Sequence, residues 1–152
     1  MEKKKRKITA NGTGLKWMDE LWRRAVRYIF GYRCFFCGAH INSVPLECHH
    51  IIKRKNFLTK FSYRDGVLLC KFPNKSNEKY KMSCHAYAET PAGKKLINDY
   101  LIGKDHMDYL MSRSGSCKQY FVDNNISRTE YLLEMKKELL DILEEENDED
   151  KI

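Results

Sequence analysis

Six cysteines constrain the fold of this 152-residue chain more than any other feature of its sequence. Cys34 and Cys37 form a Cys-x-x-Cys pair, and two more cysteines follow at Cys70 and Cys84. A two-residue gap suits a tight knuckle that turns both sulfur atoms toward one metal ion. Because no export signal is evident, we interpret these four residues as thiolate ligands of a structural zinc ion rather than as disulfide partners.

One ligand assignment stays open. Thirteen residues separate Cys70 from Cys84, whereas two to four residues are usual in a second ligand pair. Cys48 therefore competes for a ligand position, although a buried structural thiol is the simpler interpretation of Cys48 and of Cys117. The Cys-x-x-Cys pair also has a redox meaning, but no βαβ pattern surrounds it, which favours zinc.

The densest chemistry lies in Cys48-His49-His50-Ile51-Ile52. On a predicted strand the side chains of His49 and His50 point to opposite faces. With His85 approaching from a following helix, His49 and His85 could hold one divalent cation while His50 acts as a general base for hydrolysis. For the isolated His40 and His106 we expect surface or core roles.

Hydrophobic periodicity predicts an α+β fold in which short strands alternate with amphipathic helices. Gly31 is expected to end the first helix, which carries Trp17 and Trp22 as core residues. Thr90 is expected to cap a helix that restarts at Pro91. The predicted helices cover residues 14–30, 85–102, 105–111 and 128–145, and the predicted strands cover residues 46–52 and 67–70.

Charge is unevenly distributed along the chain. The total is +7, with +4 on residues 1–10 and −5 on residues 144–152, so the middle of the chain is strongly cationic. A cationic body favours a polyanionic partner, nucleic acid before an acidic membrane surface, and a merely lysine-rich surface is the alternative. No run of 18 apolar residues occurs, so we expect no membrane span and place the chain in the cytoplasm.

A cluster of cations follows the histidine pair in residues 53–64, interleaved with Phe57, Phe61 and Tyr63. Cations that alternate with aromatic side chains beside a candidate active site suit a loop that faces phosphate groups. The five expected nucleic-acid contacts are Lys53, Arg54, Lys55, Lys60 and Arg64.

Three stretches together resemble the HNH endonuclease family with its ββα-metal site: His49-His50-Ile51-Ile52, Asp65-Gly66-Val67-Leu68-Leu69-Cys70 and Cys84-His85. Residues 21–26, leading to Arg33-Cys34 and Cys37-Gly38, resemble the helix before the knuckle in phage-encoded members with additional cysteines. The likeness covers about residues 18–113. It implies a small ββα-metal core with a zinc knuckle, flanked by an N-terminal helix and C-terminal helices.

The resemblance also implies roles for individual residues. His49 and His85 would be ligands of a divalent metal, Mg²⁺ or Mn²⁺ with Zn²⁺ or Ni²⁺ as alternatives, and His50 would be the general base. Asp65 stands where the family usually has asparagine, a residue that orients the base or helps to bind metal, with Asn56 as the alternative. An aspartate can accept a hydrogen bond from an imidazole and can bind a hard cation.

We therefore expect four parts: a basic flexible arm (1–12), an HNH nuclease domain with the zinc knuckle (13–113), a helical extension packed on the same domain (114–146) and an acidic tail (147–152). The first hypothesis is an endonuclease that cuts duplex DNA, in the host cytoplasm if the chain is phage-encoded. The second is a catalytically inactive, zinc-stabilised nucleic-acid-binding module, motivated by Asp65 and by the residues between Cys70 and Cys84. An RNA-directed nuclease is the third.

Overall fold

A computed structural model describes residues 15–149, so the basic arm predicted over residues 1–12 lies outside the described residues, as do residues 150–152. The described chain is α+β, as predicted, with a small two-stranded antiparallel sheet and a helical majority. The strands are β1 (Leu46–His50) and β2 (Gly66–Cys70). The helices are α1 (Lys16–Ile29), α2 (Phe57–Lys60), α3 (Cys84–Ala88), α4 (Pro91–Gly103), α5 (Met107–Ser112), α6 (Cys117–Asp123) and α7 (Arg128–Glu149).

Strand β2 lies between two apolar cores, and every one of its residues is buried. Leu68 packs into the first core, which α1, α2 and α7 complete, whereas Val67 and Leu69 pack into the second, which includes residues of α3, α4 and α5. Alternate side chains of a strand point to opposite faces, so burial of both faces accounts for its continuous apolar sequence.

The first core joins the two longest described helices. Met18, Trp22 and Val26 from α1 meet Tyr131 and Leu139 from α7. The predicted start of α7 is confirmed, because the Ser127 hydroxyl accepts a hydrogen bond from the Glu130 backbone N–H. The helix ends at Glu149 rather than at residue 145, so it includes part of the segment predicted as an acidic tail. No helix in residues 15–149 has the length and apolarity that crossing a bilayer requires.

The structure differs from the sequence predictions in several places, among them α2, which lies within the loop predicted over residues 53–64. Trp17 is 50% exposed, whereas Met18 and Trp22 of the same helix are buried. Strand β1 ends at His50 instead of residue 52, since the backbone N–H groups of Ile51 and Ile52 bond to Asp65 rather than continuing the strand ladder. Helix α6 was not predicted, although Cys117, Tyr120 and Phe121 have helical spacing and pack, partly buried, against the first core.

Gly66 sits where α1 crosses the sheet, opposite His50 in the strand register. A Cβ atom added there would lie 2.9 Å from Trp22 Cζ2 and nearer still to Val26. We expect Gly66→Ala to lower the free energy of unfolding by about 1–3 kcal/mol, because overpacking a buried contact forces its neighbours apart. Urea unfolding checks this, with Gly115→Ala as the control, since nothing lies within 4 Å of a Cβ at Gly115. Equal losses in both variants would contradict it.

Candidate metal centres and the adjoining cleft

The four predicted zinc ligands come together in the structure. The sulfur atoms of Cys34, Cys37, Cys70 and Cys84 all lie within 4.8 Å of one another, and Cys37 Sγ is 3.3 Å from Cys70 Sγ. Three of the residues are buried and Cys37 is half-buried. Four sulfur donors at this spacing could hold a metal ion such as zinc, which prefers tetrahedral thiolate sites.

The electrostatics of this cluster suit a cation. A hydrogen bond from the Cys84 thiol lowers the pKa of Cys34 to about 5, so Cys34 carries a thiolate at neutral pH. The same contact raises the pKa of Cys84, and burial raises that of Cys70 to about 12. A thiolate is the form of cysteine that binds metal. The competing residue Cys48 lies outside the cluster, where its thiol donates to the Arg23 carbonyl and burial raises its pKa to about 11.

The long segment between Cys70 and Cys84 has a defined structure that returns the chain to the sheet. It contains a 3-10 helix, Lys75–Tyr80, opened by Asn74 in a reciprocal pair of hydrogen bonds with Asn77. The ring of Tyr80 stacks on that of Tyr87 at 4.0 Å, and its hydroxyl donates to the Phe36 carbonyl. These contacts place Cys84 next to Cys70 despite the thirteen intervening residues.

A second group of metal-binding side chains is formed by His49, His85 and Glu89, whose ligand atoms also lie within 4.8 Å of one another. The sequence predicted the two histidines, and their rings are 4.9 Å apart. It missed Glu89, which is 3.5 Å from His49 Nε2. The available signal was spacing, since Glu89 follows His85 by four residues, which places both on the same side of one helical turn.

Glu47 supports this second group. Its carboxylate bonds to Nδ1 of His85, which leaves Nε2 of that ring for a ligand. Glu47 and His49 are two residues apart on β1 and therefore share a face of the sheet. A carboxylate behind a histidine fixes the orientation of the ring, as is usual in metal sites. Burial, together with the neighbouring His85, lowers the pKa of His49, so His49 is neutral and able to coordinate a cation.

His50 contacts a different set of neighbours. Its ring stacks on Trp22, with centroids 4.0 Å apart and an interplanar angle of 6°. Its Nε2 is 3.0 Å from the Lys60 carbonyl oxygen. Since a carbonyl only accepts, Nε2 carries the proton and Nδ1 keeps its lone pair. Burial lowers the pKa of His50 to about 4, so the imidazole is neutral at physiological pH.

Asp65 is buried at the junction of the two strands. Its Oδ1 accepts a hydrogen bond of 2.6 Å from the Ile52 backbone N–H, and its buried Oδ2 has no hydrogen-bond partner in residues 15–149. Burial raises its pKa to about 8. The contacts of Asp65 therefore hold the segment after β1 and do not include His50.

Asp65→Asn is expected to stabilise the protein, and to do so more at pH 8 than at pH 5. An unfolded aspartate titrates near pH ~4, so between pH 4 and pH 8 the folded state keeps a proton that the unfolded state has lost. The stability of the parent therefore falls as the pH rises through this window. The asparagine does not titrate and keeps an oxygen for the Ile52 N–H, so we expect a gain of about 2–4 kcal/mol at pH 8. Urea unfolding of both proteins at pH 5, 6.5 and 8 measures it, and a difference that stays constant with pH would contradict it.

The five cations of residues 53–64 lie in two environments. Lys53, Arg54 and Lys55 are exposed, although Arg54 also pairs with the buried Asp19 at 3.0 Å. Lys60 is buried, and Arg64 pairs with Glu138 while lying over the ring of Tyr109. Only the first three of these cations are therefore available to a partner.

A cleft of about 340 Å³ adjoins the histidines. Its lining combines the candidate metal ligands His49 and Glu89 with His50 and with residues of α4. The remaining lining residues are Ile51, Lys53, Ala88, Lys94, Ile97 and Asn98. The end of β1 and the ends of α3 and α4 thus border one space that both histidines line.

Comparison with known proteins adds no family to these observations. The chain matches no protein-family model, and no curated protein and no solved structure matches it significantly. The residues of the two metal-binding groups and of the cleft are therefore what indicates a function for this chain.

Proposed function

We propose that this chain is a metal-dependent endonuclease of the HNH type that hydrolyses phosphodiester bonds in duplex DNA. The observation that carries the proposal is that the cleft adjoining His49 and Glu89 also contains a neutral, fixed His50. A metal-binding group and an unprotonated imidazole in one solvent-filled cleft are the two components that metal-assisted hydrolysis requires.

The donor set fits a divalent cation. His49 and His85 offer imidazole nitrogens, Glu89 offers a carboxylate oxygen, and Glu47 orients His85 from behind. Two nitrogen donors suit Mn²⁺, Ni²⁺ or Zn²⁺ better than Mg²⁺, which prefers an all-oxygen shell. A cation bound there supplies Lewis-acid stabilisation of the negative charge that develops on the phosphodiester.

His50 is the general base of the proposed reaction. Its Nε2–H is committed to the Lys60 carbonyl, so Nδ1 is the atom that accepts the proton of the attacking water. The Trp22 ring packs flat against the imidazole, and the Trp22 indole N–H is itself held by the Ser62 carbonyl at 2.8 Å. These contacts fix the ring before substrate binds, which reduces the entropy lost in reaching a reactive geometry.

The exposed cations beside the cleft bind the DNA backbone. Lys53, Arg54 and Lys55 follow β1 after Ile51 and Ile52, and all three are exposed. Such contacts neutralise phosphate charge and fix orientation without reading sequence. Lys60 and Arg64 have internal partners, and we therefore leave them out of the proposed interface.

The zinc ion is structural in this proposal. Cys84 and His85 are consecutive residues in the first turn of α3, so the thiolate cluster anchors the helix that carries one proposed metal ligand. Cys70 anchors the end of β2 to the same cluster. Zinc at the cysteines therefore holds β2 and α3 in the arrangement that brings His85 to His49.

A plasmid-nicking assay with a metal panel tests the proposed function. We expect conversion of supercoiled DNA to nicked or linear forms with Mn²⁺ or Ni²⁺, weaker conversion with Mg²⁺, and none without added metal. Glu89→Gln should raise the metal concentration that gives half-maximal rate, whereas Glu130→Gln, on the exposed first turn of α7, should not. DNA binding without cleavage by any metal would favour the inactive binding module. Cleavage of RNA alone would favour the RNA-directed nuclease.

A further inference from the structure

We propose that Lys94 and Asn98 of α4 form a phosphate-binding wall of the cleft, which Lys53 also lines, and that this wall holds the nucleic-acid backbone beside the scissile bond. This inference rests on the proposed function, because it takes a phosphodiester chain as the substrate. It adds two residues of α4 to the exposed cations of the loop after β1. All three side chains line the cleft that contains His49 and His50.

The geometry of α4 places these side chains toward the cleft. Lys94, Ile97 and Asn98 are spaced at i, i+3 and i+4, so they share one face of the helix. Ile97 is buried in the second core, whereas Lys94 and Asn98 are exposed. The apolar residue thus anchors this face, and the two polar residues extend from it into the solvent-filled space.

The wall is fixed relative to Glu89 by a tight connection between α3 and α4. Thr90 caps α4 by accepting a hydrogen bond from the Gly93 N–H at 3.1 Å. Gly93 lies so close to α3 that an added Cβ would be 2.8 Å from the Tyr87 carbonyl carbon. Lys94 follows that contact directly, so its backbone is held at a set distance from the candidate metal ligands.

The charges of the cleft favour an anion at this wall. Glu89 also lines the cleft, and its carboxylate lies 3.5 Å from His49 Nε2. Among the residues that the structure describes, Lys53 and Lys94 are the only lysine or arginine side chains of the lining. In residues 15–149 no carboxylate lies within ion-pair distance of Lys94, whereas the adjacent Lys95 pairs with Asp99 at 3.4 Å. Lys94 therefore has its charge available for a ligand.

The chemistry of the wall indicates what part of the substrate it contacts. An ammonium group and a carboxamide bind phosphate oxygens, and contacts of that kind position a duplex without reading its sequence. Among the described residues, no Phe, Tyr or Trp ring lines the cleft and could stack on a base. The wall thus contributes affinity and alignment, and sequence preference must come from other contacts.

Lys94→Gln and Lys95→Gln make a matched pair, since the residues are neighbours of the same type on one helix and both are exposed. Affinity for a short DNA duplex is measured by fluorescence anisotropy without added divalent metal, across a series of salt concentrations. We expect Lys94→Gln to weaken binding about 3–10-fold and to reduce the slope of log K against log salt by about one, as for one lost phosphate contact. Lys95→Gln should change affinity less than about twofold, since exposed charges remote from the ligand act weakly.

Kinetic constants and a second variant distinguish a role of the wall in binding from a role in the chemical step. Lys94→Gln should raise KM more than it lowers kcat, and Asn98→Ala should weaken binding without changing the salt slope, because a neutral side chain releases no counterion. Equal affinities and salt slopes of Lys94→Gln and Lys95→Gln would overturn the inference, whether or not the parent cleaves DNA. If the parent binds DNA but none of the metals supports cleavage, the proposed function is excluded. The affinity comparison then still tests the wall. A parent that binds no DNA would overturn both.

Discussion

Replacing His50 by alanine is expected to lower the rate of DNA cleavage about 10²–10⁴-fold, the usual contribution of a general base. The imidazole contributes Nδ1 to the proposed reaction, and its ring is fixed by Trp22 and by the Lys60 carbonyl. Binding of duplex DNA should change little, because His50 carries no charge at neutral pH. Single-turnover plasmid nicking, with the affinity measured separately, checks both parts.

Two further variants give this test its specificity. His49→Ala should also reduce cleavage, but through loss of the metal ion, which calorimetric titration with Mn²⁺ detects and which His50→Ala should leave intact. His40→Ala is the neutral control, because His40 lies outside both metal-binding groups and bonds to the Asn42 N–H. Cleavage by His50→Ala at the rate of the parent would exclude His50 as the base.

Replacing Cys84 by serine is expected to unfold much of the protein at 37 °C. Structural zinc contributes about 10–16 kcal/mol of apparent binding free energy in zinc-finger peptides, and a typical domain is stable by only about 5–15 kcal/mol. Even a partial loss of the ion should therefore exceed the stability that the two small cores supply. The expected observations are a zinc content below one ion per chain and a loss of cooperative thermal unfolding.

Cys117→Ser is the matched control for that experiment. Cys117 is half-buried at the start of α6 and lies outside the cysteine cluster, so zinc content and thermal unfolding should stay close to those of the parent. Purification of the parent without chelator should yield zinc by elemental analysis. Folded parent protein that contains no zinc would contradict the structural role of the four cysteines.

Local patterns predicted the parts of this fold that depend on neighbouring residues. The apolar spacing of α1 and the Thr90 cap of α4 both depend on side chains within one or two helical turns. The same holds for the Cys34–Cys37 turn. The pairing of His49 with His85 came instead from motif spacing, and the structure brings the two rings together.

What the sequence did not predict depends on contacts between distant segments. Nothing in the local sequence distinguishes Glu47 and Glu89 from other charged residues. The packing of β1 against α3 brings the Glu47 carboxylate to His85 and the Glu89 carboxylate to His49. Lys60 resembled a phosphate contact because it follows other cations, but α2 directs it into the interior, where its carbonyl holds His50. Charge and hydropathy of single residues do not reveal which of two similar lysines a tertiary contact will bury.

The adjacency of Cys84 and His85 has a mechanical consequence. Consecutive residues of an α-helix diverge by about 100° around the axis, so one turn of α3 directs a sulfur toward the cysteine cluster and an imidazole toward β1. The same helical turn thus carries one donor of the soft sulfur site and one donor of the harder nitrogen and oxygen site. Because both donors lie on one helical turn, a metal ion held by the cysteines would also fix the backbone that carries His85.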